Sequence, residues 1–287
     1  TDDDTIYLLC GCAYFSDAKT EIFRSRDGGE TFERIDVTDL IQVHGNGEGR
    51  QFGEAIAVDP DNPNIIYCGG DVASGDSALI MSKDGGDTWE AVKGYDDLGL
   101  FKNSIKWPTW TEHMARALTD AEYYHQNGVS IVHVQDGKVY VGTTIQGENS
   151  LVVADVGSDD FQPLSKDLPT NYYPSRINAD ADGNLLISYC GSITFSGGGA
   201  LYKYNPKTGE ATDISPTTNH AYGAVYGDPK DANKLIATSC DFGYSQMWDA
   251  NAWKNDTVAW GSQFYRSTDG GATWESITPG NETTWGG

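Results

Sequence analysis

The chain has 287 residues, 38% of them hydrophobic, with 34 glycines, 16 tyrosines and 8 tryptophans, enough for one large all-β domain rich in turns and rings. Its formal net charge of −23 excludes nucleic acid, whose phosphates it would repel, and disfavours an anionic substrate. A neutral polymer such as a plant glucan fits better, although the same acidity also serves simply to keep a secreted protein soluble.

In chain order, Thr1 to Tyr7 leads into a first β-prone run and a second at Glu21-Ile22-Phe23-Arg24. Next comes the phrase Ser25-Arg26-Asp27-Gly28-Gly29-Glu30-Thr31-Phe32. It predicts a tight hairpin: Asp-Gly-Gly supplies positive φ, the carboxylate takes turn amides, and Thr and the ring start the return strand, with the ring poised to enter a core. A glycine-rich loop follows, Val43 to Arg50, with His44 and Arg50 as polar candidates. Gly53 to Tyr67 then reads as strand, Asp59-Pro60 turn and strand, leading to a second copy of the phrase at Ser82 to Trp89. Residues 94–128 form a non-blade insertion: Trp107 and Trp110, a short helical pattern from Thr111 to Ala121, then Tyr124. Strand–turn–strand signals return at Ile131 to Val141 and Arg176 to Ser188 without the phrase, and at Tyr222 to Ile236 with a third copy, Ser267 to Trp274. Between Cys240 and Trp260 lies a long loop that carries Trp248 and Trp253.

Asp27 and Asp84 stand 57 positions apart, and Asp84 and Asp269 stand 185 apart, about three times as far. Such a period implies stacked units that cannot bury their faces alone. Each unit offers four short strands, which predicts an all-β fold of β-propeller blades at about 1–36, 50–93, 129–165, 174–215 and 221–278. The set reads as one partial β-propeller domain over 1–287, with five blades visible. The first blade lacks its leading strand and leaves an unpaired edge, so the chain reads as a piece of a longer polypeptide. The five cysteines include Cys10, Cys68, Cys190 and Cys240 near the ends of second strands, and they are expected to be buried small hydrophobes. No metal-ligand spacing, nucleophile elbow or phosphate loop is present, so no metal and no cofactor is expected.

The repeated phrase is the Asp-box, and the ordered series resembles glycoside hydrolase family 74. The residues that carry the likeness are Gly49-Arg50-Gln51-Phe52-Gly53-Glu54-Ala55-Ile56-Ala57-Val58-Asp59-Pro60, Ile65 to Gly69, the box at Ser82, Gly199 to Asn205, Asp213 to Pro216, and Tyr222 to Pro229 with the box at Ser267. The resemblance implies two facing seven-bladed propellers, of which this chain is part of one, and an inverting endo-glucanase that cleaves xyloglucan with two aspartates, their carboxyls far enough apart to admit a water. Neither aspartate context occurs here; Asp71 has a Gly-Gly-Asp setting at the wrong place in the repeat, so no catalytic residue is assigned. The resemblance therefore implies one side of a substrate cleft in a secreted enzyme, partnered by the rest of its polypeptide or by a second propeller, and with no nucleic acid or membrane.

Trp248, Trp253, Trp107, Trp110 and Tyr124 are the candidates for stacking on sugar faces, and Arg50 and His44 for bonding hydroxyls. Each also has a purely structural reading, as a self-packed loop, a cover over the blades or a loop pin. The alternative function is a non-catalytic carbohydrate-binding or scaffold propeller. A sialidase would need an arginine triad that this acidic chain does not offer.

Overall fold

Short β-branched and aromatic runs, punctuated by Asp-Gly and Asp-Pro turns, fold in the computed structural model of the protein into six antiparallel sheets among the described residues. The structure describes residues 4–11, 19–43, 54–72, 78–98, 128–144, 146–191, 198–218, 220–240 and 263–278.

The first sheet has β1 (Ile6–Cys10), β2 (Glu21–Ser25) and β3 (Glu33–Asp36). A two-stranded ladder joins β4 (Ile41–Gln42) to a later strand, and the second sheet begins with β5 (Ile56–Val58) and β6 (Ile66–Gly69). The partner of β4 is β7 (Asp71–Val72); β8 (Leu79–Ser82) and β9 (Glu90–Ala91) complete the second sheet. One helical turn, α1 (Lys93–Asp96), follows. The third sheet is β10 (Val129–Gln135), β11 (Lys138–Thr143), β12 (Leu151–Asp155) and β13 (Gln162–Pro163). The fourth is β14 (Tyr173–Ala179), β15 (Leu185–Cys190), β16 (Gly199–Tyr204) and β17 (Ala211–Asp213). The fifth is β18 (Ala221–Asp228), β19 (Asp231–Cys240), β20 (Phe264–Ser267) and β21 (Glu275–Ser276). The expected all-β chain of four-stranded Asp-box β-propeller blades is what the structure has. The first blade is three-stranded among the described residues, and the expected helical pattern at Thr111 to Ala121 lies outside them.

The chain divides into two compact units, Thr1–Ile145 with Leu151–Leu164, and Gln146–Ser150 with Ser165–Gly287. In the first unit, Ile22, Ile41, Cys68 and Ile80 pack as one cluster, flanked by Tyr7, Ile35 and Trp89. A second cluster joins Tyr67, Leu79 and Val92 to Val132, Val139 and Phe161. Each such side chain taken fully out of water stabilises by about 1.5–3 kcal/mol. Backbone contact is close between the second and third sheets: Val129 N–H donates to Gly70 O at 3.0 Å and Val132 N–H to Glu54 O at 2.8 Å. A Cβ on Gly69 would come within 2.2 Å of Val129 Cγ1, so only glycine permits this approach. After β9, α1 inserts the buried Tyr95 edge-on against Phe161, centroids 5.4 Å apart.

In the second unit, Leu186, Leu201 and Ile214 of the fourth sheet interdigitate with Tyr222, Val225, Leu235, Ala237 and Tyr265 of the fifth. Polar pins hold the two sheets in register. Asn178 Nδ2 donates to Val225 O at 2.9 Å, Ser175 Oγ contacts Tyr222 O at 3.3 Å, and Trp274 Nε1 donates to Ile214 O at 2.7 Å.

Two sequence expectations are corrected. Phe32, expected in a core, is 41% exposed, whereas Trp89 and Trp274 pack partly buried against a cluster. Those two tryptophans each lean on the preceding sheet, and among the described residues no sheet precedes the first. Cys10, expected buried, is exposed at the end of the edge strand β1, while Cys68 and Cys190 lie on strands flanked on both sides and are buried.

Candidate functional site

Antiparallel strands give every blade two unlike ends. The turn between first and second strands and the hairpin between third and fourth share one end; the remaining connections leave from the other.

At the first end the Asp-boxes form three near-identical turns. Gly28 and Gly29 have φ of 72° and 95°, and the glycine pairs of the other two boxes match them. Ser25, Ser82 and Ser267 each donate Oγ–H to the box aspartate at 2.7–2.8 Å and accept the second glycine N–H at 2.8–2.9 Å. Each aspartate also accepts the N–H and the hydroxyl of the box threonine, as Asp84 does from Thr88 at 2.8 and 2.6 Å. The first glycine N–H donates across to the neighbouring turn of its own blade, at Asp4 O, Asn64 O and Asn233 O, each 2.9 Å. The box thus ties together the two hairpins of its blade.

This bonding decides the chemistry. Donation from the threonine hydroxyl and amide, then the serine, holds Asp27, Asp84 and Asp269 at pKa values of about 2. A carboxyl so acidic gives up its proton long before neutral pH and cannot serve as a general acid there. A groove of about 460 Å³ opens beside the second box, between the first two sheets, lined by Tyr7, Arg26, Asn64, Asp84 and Asp87 among others. Its charges are already paired, Asp87 with Arg24 at 2.7 Å and with Arg26 at 3.0 Å. The box end is a structural end.

Sequence reading missed two charged groups here. Arg24 is only 3% exposed and donates to Gly85 O, Glu33 and Asp87, so it pegs the first sheet onto the second box. The Asp180 carboxylate is buried and accepts Asp182 N–H, Asn184 N–H and Asn184 Nδ2 at 2.9–3.0 Å, with Lys203 Nζ at 3.6 Å. The signal for Asp180 was its place after the blade's first strand, shared with Asp59. Arg24 gave none, because the contact spans 61 residues.

In the chain, the sequence candidates fall in connections between strands. Trp248 and Trp253 lie in the connection from β19 to β20, His44 and Arg50 in that from β4 to β5, and Trp107, Trp110 and Tyr124 in that from α1 to β10. All seven lie outside the described residues. The described groups at the blade ends away from the boxes are polar. Lys19 and Asp36 form an ion pair, and Thr38 Oγ1 donates to Asp36 Oδ1 at 2.6 Å; these bonds push the Asp36 carboxyl well below the usual range. In the second unit Gln146 Nε2 donates to Asn171 O at 2.9 Å, and Thr278 Oγ1 to Gln263 Oε1 at 2.9 Å. Asp71 is placed in the β4–β7 ladder opposite Gln42. His133, pushed towards its neutral form by burial, rests by Gln135 Oε1 at 3.3 Å and beside the Tyr140 ring, a packing role.

Comparison with known proteins agrees with this architecture. The BNR/Asp-box repeat family model matches residues 265–276. A xyloglucanase of Paenibacillus sp. is 28% identical over 286 residues, covering 96% of this chain and 25% of the relative. A xyloglucanase of Acetivibrio thermocellus is 27% identical over 300 residues, covering 96% and 31%. Among solved structures, the Niastella koreensis GH74 enzyme superposes with a TM-score of 0.70 at 27% identity, over 95% of this chain and 36% of that one. The GH74 xyloglucanase of Xanthomonas campestris gives a TM-score of 0.72 at 24% identity, which speaks for the fold. The resemblance to glycoside hydrolase family 74 is borne out, and the chain spans a quarter to a third of the length of the curated relatives it matches.

Proposed function

We propose that this chain is part of a secreted glycoside hydrolase acting on xyloglucan and related β-1,4-glucans, and that it contributes one side of the substrate cleft. The observation that carries the reading is similarity to xyloglucanases along 96% of the chain, not merely at its Asp-boxes. The acid–base pair of an inverting mechanism is supplied outside the positions this sequence matches, so the chain binds glycan without cleaving it. Trp248, Trp253, Trp107, Trp110 and Tyr124 stack on sugar faces, while Arg50 and His44 bond hydroxyls. The box carboxylates, committed to turn geometry, are not among them. A net charge of −23 favours a neutral backbone over a uronate polymer. Its partner is the rest of the polypeptide or a second propeller, and the domain is a single propeller.

Affinity electrophoresis tests this reading. Migration slows in gels containing xyloglucan and is unchanged in gels containing a polyuronate. Equal retardation in both, or none in either, contradicts it. The second reading, a carbohydrate-binding propeller in a protein without catalysis, rests on the absence of both aspartate contexts from this sequence. It predicts that the longer polypeptide releases no reducing ends.

A further inference from the structure

Five Asp–Gly pairs occur in the sequence, at Asp27, Asp84, Asp136, Asp182 and Asp269. Such a pair can close on itself when the glycine nitrogen attacks the side-chain carbonyl of the aspartate and a cyclic imide forms. Glycine has no side chain to hinder the attack, so in an unfolded chain the five are chemically alike. In the folded chain they differ in whether the nitrogen and the carboxyl are free to meet.

In the three Asp-boxes they are not. Gly28, Gly85 and Gly270 each commit the N–H to the neighbouring turn at 2.9 Å. Asp27, Asp84 and Asp269 each accept a serine hydroxyl, a threonine hydroxyl and a threonine N–H at 2.5–2.9 Å. Ring closure also expels water from a protonated carboxyl, and these three titrate at about 2. At the fourth pair, Gly183 N–H donates to Asp180 O at 3.1 Å, so its nitrogen is engaged as well.

The fifth pair is the turn between β10 and β11, in a sheet without a box. Gln135 pairs with Lys138 across it, and Asp136 and Gly137 have φ of 50° and 70°. Among the described residues Asp136 is the only non-glycine with positive φ, a backbone that costs an L residue energy. Gly137 N–H donates to nothing among the described residues. The space around Gly137 is open: an added Cβ would meet no atom within 4 Å beyond its chain neighbours. The Asp136 side chain is exposed and takes one hydrogen bond, from Gln135 Nε2 at 3.3 Å.

We infer that Asp136 is a site of spontaneous succinimide and isoaspartate formation in the folded protein, and that the three box aspartates are protected from this reaction. The Gly137 nitrogen bonds to Asp136 Cγ, and its proton leaves with the carboxyl hydroxyl as one water. A second water then opens the ring. Entry at the side-chain carbonyl restores aspartate. Entry at the main-chain carbonyl leaves a backbone that runs through Cβ and Cγ, one methylene longer. No oxidant, metal or enzyme is required. The longer backbone does not fit a two-residue turn, so the bond from Val156 N–H to Gly137 O, 2.9 Å, is lost. That bond ties this turn to the one at Gly157, and the damage therefore falls on the third sheet. The inference is independent of the hydrolase reading.

The experiment holds the 287-residue chain, folded and in guanidinium, in mildly acidic water enriched in heavy oxygen. Each ring opening places one heavy oxygen in the carboxyl, so peptide mapping by mass spectrometry reads all five pairs in one sample. Chromatography separates the isoaspartyl peptides and identifies the product. Folding is expected to slow the reaction at least tenfold at Asp27, Asp84 and Asp269, and less than about threefold at Asp136. Protection of Asp136 as strong as that of the box aspartates overturns the inference. So does reaction at equal rates at all five pairs in the folded chain. In the isomerised fraction the Val156 amide is expected to exchange its hydrogen faster; unchanged exchange overturns the loss of the turn.

Discussion

Replacing Arg24 with alanine is expected to be among the most damaging single changes in the first unit. Its guanidinium is 3% exposed and meets Gly85 O at 2.5 Å, Glu33 at 2.5 Å and Asp87 at 2.7 Å. The two carboxylates are 60% and 56% exposed, so each ion pair contributes only about 0–1 kcal/mol and both acids rehydrate when the cation goes. The larger losses are the charged bond to a carbonyl, about 1.5–3 kcal/mol, and two buried methylenes at about 0.8 kcal/mol each. We expect Arg24→Ala to cost about 3–5 kcal/mol in urea denaturation followed by circular dichroism. Arg24→Met keeps the stem and recovers about 1.5 kcal/mol of that. The neighbouring Arg26 shares Asp87 but is 60% exposed, so Arg26→Ala costs under about 0.5 kcal/mol. Equal losses for Arg24→Ala and Arg26→Ala would refute the argument that burial, not charge pairing, gives Arg24 its weight.

Burial predicts unequal costs for two strand residues: Leu186, fully buried, loses about 2–5 kcal/mol on change to alanine by cavity formation, while Ile236, 49% exposed, loses under about 1 kcal/mol. Chemical denaturation of both variants checks this, and similar losses count against the exposure of Ile236. The Asp-box carboxylates titrate at about 2 in the folded protein against an ordinary 3.8. A depressed folded value contributes stability present above about pH 4 and lost as pH falls towards 2. Asp84→Asn is therefore expected to flatten the acid-unfolding curve over that window and leave its shape above pH 5 unchanged. Trp248→Ala and Trp253→Ala are each expected to weaken xyloglucan-oligosaccharide binding about tenfold in calorimetry without lowering the melting temperature. A loss of melting temperature would instead make them loop-packing residues.

Much of the blade architecture was legible because each feature has a local cause. Asp-Gly-Gly forces a turn, the box serine and threonine satisfy the aspartate within four residues, and alternating apolar runs mark the strands between. The sheets observed at 56–91, 129–163 and 221–276 fall inside the blade limits read from the sequence, and the one at 173–213 begins a single residue before its limit. What was not legible depends on residues far apart in the chain. Phe32 looked like Trp89 and Trp274 in sequence, but a ring is buried only if a neighbouring sheet covers it. Arg24 resembled an ordinary surface arginine, and only the approach of Gly85 makes it a peg. The box lost from the third blade is replaced by a turn at Gly157, whose N–H donates to Tyr67 OH at 2.7 Å across to the second sheet. No pattern within residues 155–161 announces that contact. The sugar-binding candidates came from residue type and loop position alone, and all seven lie outside the described residues.

The most direct test of the central claim is a titration of the 287-residue chain with xyloglucan oligosaccharides, following tryptophan fluorescence, with reducing ends assayed on the same samples. Saturable fluorescence change without new reducing ends is the predicted result if Trp248 and Trp253 stack on sugar and the acid–base pair is supplied from elsewhere. New reducing ends would place the reaction's carboxylates within this chain after all, with Asp71 the first to replace. No fluorescence change at any oligosaccharide concentration would contradict the claim that this chain forms a side of the cleft.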